Sequence, residues 1–175
     1  MSSSSSQKAD ILCSLRFNED GAFIEAQQVQ AELKRRYNLN AVIVNVPPGS
    51  NIDIMDEVCR VFDEAKLVLI FGTENYGEPG KVRFSTREEL QLISDTKKPF
   101  FLIKMCPKFR DTRTAMILPS STAAVFWSKG KPMPADLITK IADSYMMHAG
   151  QSSLSLAHHN KGTYKFRYRN MRGIS

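Results

Sequence analysis

Long apolar runs are missing from this chain. No stretch approaches the ~20 consecutive apolar residues that a membrane-spanning helix requires, so no such span is expected. The N-terminus carries five serines with no hydrophobic segment behind them. No secretory signal is expected there, and residues 1–8 read as a flexible Ser-rich leader. Cysteine is scarce, with three in 175 residues. An odd count without metal-ligand spacing argues against a disulfide framework and against a metal centre. Cys13 and Cys106 fall on expected strands and Cys59 on an expected helix, and all three read as reduced core residues of a cytoplasmic protein.

An excess of either charge is also absent from most of the chain. The net charge of +6 is concentrated near the C-terminus, where Lys161, Lys165, Arg167, Arg169 and Arg172 interleave with Tyr164, Phe166 and Tyr168. A basic, aromatic tail over 150–175 could touch an anionic surface, or be a solvated or edge-pairing segment. The near-neutral remainder argues against a dedicated nucleic-acid binder. What is present in ordinary amounts is the material of a globular core: 42% hydrophobic and 24% charged residues. That suits one domain, expected over 9–149.

Strand and helix patterns alternate along that domain. Asp10–Leu15 reads as a first strand, and Asp20 could cap a helix with Ala22, Ala26, Val29, Leu33 and Tyr37 on its apolar face. Ala41–Val46 reads as a second strand, closed by Pro47-Pro48-Gly49, after which Ser50 or Asn51 starts a helix bearing Ile54, Val58, Val61, Phe62 and Ala65. Lys66–Phe71 is a continuous apolar run, the pattern of a strand covered on both faces. A polar loop over Thr73–Gly80 leads to a helix from about Thr86 to Thr96, ended by Lys97-Lys98-Pro99. Phe100–Met105 is a fourth strand, a less regular stretch spans Phe109–Leu118, and Ala123–Trp127 is a fifth strand. Pro134 opens a last helix with Leu137, Ile138, Ile141, Ala142 and Tyr145 inward, and periodicity fades from about Gly150. The fold class is therefore α/β: a flavodoxin-like, doubly wound, five-stranded parallel sheet with helices on both faces.

Two occupants of such a sheet lack their residues here. The loop after the first strand, Arg16–Gly21, is acidic and holds one glycine, a poor phosphate cradle for a flavin or dinucleotide cofactor. The third strand ends Phe71-Gly72-Thr73, without the aspartate of a phospho-acceptor receiver.

A third set of residues accumulates instead. Ile11-Leu12-Cys13-Ser14-Leu15-Arg16, Val46-Pro47-Pro48-Gly49, Phe71-Gly72-Thr73-Glu74-Asn75-Tyr76 and Phe126-Trp127 resemble, in order and spacing, the boxes of Toll/interleukin-1 receptor (TIR) domains. The resemblance covers roughly Asp10 to His148. Leu15 departs from the usual aromatic of the first box, Asn45 stands where an acidic residue is common, and Thr86 stands about where plant members have a cysteine.

Many TIR domains cleave the bond between nicotinamide and ribose in NAD, using a glutamate in the first turn of the helix after the third strand. Glu88-Glu89-Leu90 matches that acidic-Glu-Leu sequence, and the resemblance assigns the catalytic role to Glu89. Nicotinamide leaves a pyridinium as a neutral molecule, so positive charge develops on the ribose, where a carboxylate can stabilise it. NAD is then substrate, with no cofactor implied. Ser85-x-x-Glu88 is a capping box, which accounts for Glu88 without catalysis and for Glu89 only in part. By the same resemblance, Arg16 and Phe17 would close over nicotinamide, Gly49 and Ser50 would lie in the loop gating the cleft, and Ser14, Tyr76 and Ser85 would line it. Trp127 reads as structural. The competing expectation is a non-catalytic TIR adaptor. For either role the family implies self-association through TIR–TIR contacts, or contacts with other TIR proteins.

Overall fold

The computed structural model describes residues 8–17, 21–45, 53–79 and 85–155, without the side chains of 151–155. Five short runs of apolar residues become the strands: β1 (Ile11–Ser14), β2 (Ala41–Ile43), β3 (Leu67–Gly72), β4 (Phe100–Lys104) and β5 (Ala123–Phe126). All pair in parallel, in the order β2-β1-β3-β4-β5. The helices α1 (Phe23–Tyr37), α2 (Ile54–Glu64), α3 (Thr86–Thr96), α4 (Thr112–Ile117) and α5 (Leu137–Ser155) supply the crossovers and the final helix.

Alternate strand residues face opposite sides of the sheet, and the core divides accordingly. Ile11, Cys13, Leu67, Leu69 and Phe71 pack against α1 and α5 through Ala26, Val29, Leu33, Leu137 and Ile141. Leu12, Val68 and Ile70 pack against α2 and α3 through Val58, Val61, Phe62, Leu90 and Ile93. Every residue of β3 is buried, as its unbroken apolar run requires of a central strand. Burying each such side chain contributes about 1.5–3 kcal/mol. Among the described residues no helix is long and apolar enough to cross a membrane.

Several expectations need correction. The first helix starts at Phe23 behind Ala22, which offers no side-chain cap, and Asp20 lies outside the described residues. Tyr37, at the far end of that helix, is exposed and donates to Thr139 Oγ1 at 3.3 Å. The start of α2 is set by Asp53, whose carboxylate accepts from Met55 N at 2.8 Å. Ser50 and Asn51 lie outside the described residues. A cap of this kind contributes about 1 kcal/mol, so Asp53→Ala is expected to lower the melting temperature by roughly 2–4 °C, read by thermal unfolding.

The irregular stretch after β4 contains α4, six residues capped by Asp111, which accepts from Thr114 N at 2.7 Å. Cys106 falls just past β4, where its thiol donates to Gly72 O at 3.4 Å. Trp127 is buried and its indole N–H donates to Lys131 O at 2.9 Å, a structural role. The last helix continues past Gly150 to Ser155. The basic tail beyond it lies outside the described residues.

Candidate functional site

Strand order reverses between β1 and β3: the chain leaves β1 toward β2 on one side, and β3 stands on the other. Crossovers diverge at such a switch point and leave a crevice beyond the carboxyl ends of the two strands. Ser14 is the last residue of β1, in register with Ile70 of β3. Its buried hydroxyl is thereby fixed at the edge of that crevice.

The loop after β3 supplies a second group. Tight turns, with Tyr76 N donating to Thr73 O at 3.1 Å and Glu78 N to Asn75 O at 3.3 Å, fold the loop back over the strand end. Tyr76 is fully buried, and its hydroxyl lies 2.6 Å from Ser14 Oγ. Gly77 follows with φ +80 and donates its N–H to Thr86 Oγ1 at 3.0 Å. That bond ties the loop to the first residue of α3.

The third group comes from α3. Ser85 and Glu88 form a complete capping box. Glu88 is thereby turned onto Ser85, accepting from Ser85 N at 2.7 Å and Ser85 Oγ at 2.6 Å. Glu89, one position on, points the other way, and its Oε2 accepts from Ser14 Oγ. Residues 62 and 75 positions apart from Ser14 thus meet at one hydroxyl.

The adjacent carboxyls are driven in opposite directions. Glu89 is half-buried as a residue, and burial of its carboxyl end pushes its pKa from 4.5 up to about 7. The Ser14 hydrogen bond opposes that rise and the neighbouring Glu88 charge adds to it. At Glu88 burial also raises the pKa, but the bonds from Ser85 and the Arg87 charge outweigh it and leave the group below its usual value. Tyr76 is held far above the usual phenol range by burial and by the Glu89 charge, against a lowering bond from Ser14. Neighbouring titratable groups driven apart in this manner mark acid/base machinery in many enzymes.

The other expected site residues take different places. Arg16 does not present a free guanidinium: Nη1 donates to Asn75 O at 2.9 Å and Glu78 O at 2.8 Å, and Nη2 reaches Pro79 O at 3.4 Å. It braces the Tyr76 loop. Phe17 is 49% exposed, with its ring 5.8 Å from that of Phe23. Ser85 is spent on the helix cap. Gly49 and Ser50 lie outside the described residues.

Two participants escaped the sequence reading. Thr86, the anchor of the loop, sits beside the recognisable Ser85 cap, and Gly77 lies in a Tyr-Gly-Glu-Pro turn whose composition signals positive φ without naming its partner. Toward β4, a cavity of about 310 Å³ opens among Thr73, Asn75, Cys106 and Arg110, and its lining holds none of Ser14, Tyr76 and Glu89. Among the described residues no group of three or more His, Cys, Asp or Glu could hold a metal ion.

No family model matches the chain, and no curated protein matches it. Among solved structures it is similar to the crystal structure of the RPS4 and RRS1 TIR domain heterodimer, with 14% identity and a TM-score of 0.50. The match covers 81% of this chain and 99% of the other. The fold is TIR-like. At that identity the likeness concerns the architecture. In this TIR-like fold Ser14, Tyr76 and Glu89 converge at the switch point, while Arg16 holds the loop that carries Tyr76.

Proposed function

We propose that this TIR-fold protein cleaves the nicotinamide–ribose bond of NAD, with Glu89 as the catalytic carboxylate. The observation that carries the reading is the Glu89 carboxyl at the carboxyl end of β1, oriented by Ser14 and distinct from the capping carboxyl of Glu88. Nicotinamide departs neutral, so no general acid is required. The ionised carboxylate faces the positive charge that develops on the ribose, a contribution of ~10²–10³ in rate for a preorganised group. Capture of the ribosyl cation by water gives ADP-ribose, and capture by an internal group gives a cyclic product. Phe17, exposed at the end of β1, offers a ring face for nicotinamide stacking.

The similar structure is a heterodimer of TIR domains, which favours a second reading: a scaffold that works by TIR–TIR assembly without turnover. The two are separated by following nicotinamide release from NAD against protein concentration, with assembly measured in parallel by light scattering. In the enzyme reading, release rises faster than linearly because assembled copies complete the cleft. Assembly without nicotinamide release would overturn the enzyme reading and leave the scaffold.

A further inference from the structure

Tyr76 is fully buried, so it does not share the substrate-facing role that its place in the loop suggests. Its hydroxyl touches one polar side chain of interest, Ser14, at 2.6 Å, and Ser14 in turn donates to Glu89. The direction of the chain follows from proton counting. An ionised carboxylate only accepts, and a serine hydroxyl has one proton. Ser14 gives that proton to Glu89, so its remaining capacity is as an acceptor, and the bond between Ser14 and Tyr76 must be donated by the tyrosine.

We infer that Tyr76 is a positioning residue that acts on Glu89 through Ser14, as a buried Tyr76–Ser14–Glu89 relay that aims the carboxylate. Donation from the phenol fixes the serine rotor and polarises its O–H, which strengthens the bond to the carboxylate. The supports of the relay are built for rigidity. Arg16 straps the backbone on both sides of Tyr76 through Asn75 O and Glu78 O. Gly77 N fastens the same loop to Thr86 on the helix that carries Glu89.

Among the described residues, the titratable groups facing Glu89 are Tyr76 from the loop after β3 and Glu88 on its own helix; Ser14 is the neutral group from β1. Glu88 is committed to Ser85 and Arg16 to backbone carbonyls. The relay is therefore the adjustable influence on the carboxyl. Its catalytic meaning rests on the NAD-cleaving reading, but its effect on Glu89 does not.

The test is a carbon-13 NMR titration of the Glu89 side-chain carboxyl, assigned by its loss in Glu89→Gln, in the whole chain and without NAD. The midpoint in the unmodified protein is expected near 7. Ser14→Ala removes the direct donor and should raise it by about one pH unit. Tyr76→Phe keeps the ring and should raise it by a few tenths, on the order expected for a polarising bond. Because the tyrosine acts through the serine, Tyr76→Phe added to Ser14→Ala should change nothing further. An equal Tyr76→Phe shift in both backgrounds, or no shift in either, overturns the relay, and a merely structural tyrosine would lower the melting temperature without moving the midpoint. If Tyr76→Phe fails to fold, fluorotyrosine incorporated in place of tyrosine keeps the ring and strengthens the phenol as a donor. The Glu89 midpoint should then fall by a few tenths, and no fall, or the same fall with Ser14→Ala present, overturns the relay. Nicotinamide release gives an independent readout, with kcat at pH 6 to 7 falling by up to about twofold in Tyr76→Phe and KM held. The expected midpoints without any nicotinamide release would keep the relay and remove the catalytic reading.

Discussion

Glu89→Gln is expected to stabilise the folded protein at pH 8 by at most roughly 3 kcal/mol and to leave it nearly unchanged near pH 4. The sign follows from proton binding. The carboxyl titrates near 4.5 in the unfolded chain and about 7 in the fold, so between those values the folded state holds the extra proton. Stability from this group is fully present below 4.5 and is lost as pH rises through 7. Above 7 the fold carries an ionised carboxylate in a buried place. Glutamine keeps an acceptor for Ser14 and carries no charge, so it removes the penalty at high pH alone. Urea midpoints for the two proteins across pH 4 to 8 should diverge as pH rises, and parallel curves would show that Glu89 is not held against its charge. The same substitution removes the carboxylate from the proposed chemistry. A gain in stability paired with a loss of turnover is the pattern of a site whose strain serves function.

Gly77→Ala should act in the opposite direction and more severely. At φ +80 an alanine is strained, and its Cβ would lie 1.9 Å from Thr114 Oγ1 and 3.1 Å from Thr114 Cβ. Thr114 cannot turn aside freely, because its side chain is buried and its hydroxyl and N–H both engage Asp111 Oδ2, at 2.9 and 2.7 Å, as the cap of α4. Relief by moving the loop instead pulls Gly77 N from Thr86 Oγ1. Backbone strain of ~1–3 kcal/mol and overpacking of ~1–3 kcal/mol together lower the melting temperature by on the order of 10 °C. Gly130 is the control, with φ +73 and nothing within 4 Å of an added Cβ; Gly130→Ala should cost only the backbone term. Thr114→Ala introduced into Gly77→Ala removes the nearest clash and should recover part of the loss. Equal losses for the two glycines would refute the steric account.

The sheet was legible because its signal is local. β3 is an unbroken apolar run, α3 has a serine cap at one end and Lys97 in a left-handed conformation at the other, and both lie where composition places them. Helix starts were less legible. Asp53, Ser50 and Asn51 are equivalent caps in sequence, and which one serves depends on where the chain turns back onto the sheet. α4 has only six residues, too few for a hydrophobic period to show. The pattern for α5 faded at Gly150 because the sequence there turns to Gly150, Gln151, Ser152 and Ser153, which carry no apolar period.

The site was half legible for the same reason. Glu89 could be picked out by its neighbours, and Glu88 could be explained as a cap. The Tyr76 hydroxyl reaching Ser14 is a contact across 62 residues, which no local pattern encodes. Arg16 looked available for a ligand because a sequence shows charge but not the carbonyls that engage it.

The most direct measurement is nicotinamide release from NAD at pH 8 by concentrated, assembled protein, comparing the unmodified chain with Glu88→Gln and Glu89→Gln. Release that falls by ~10²–10³ in Glu89→Gln and persists in Glu88→Gln is the predicted result. Equal losses in the two variants, or full release without the Glu89 carboxylate, would contradict the account.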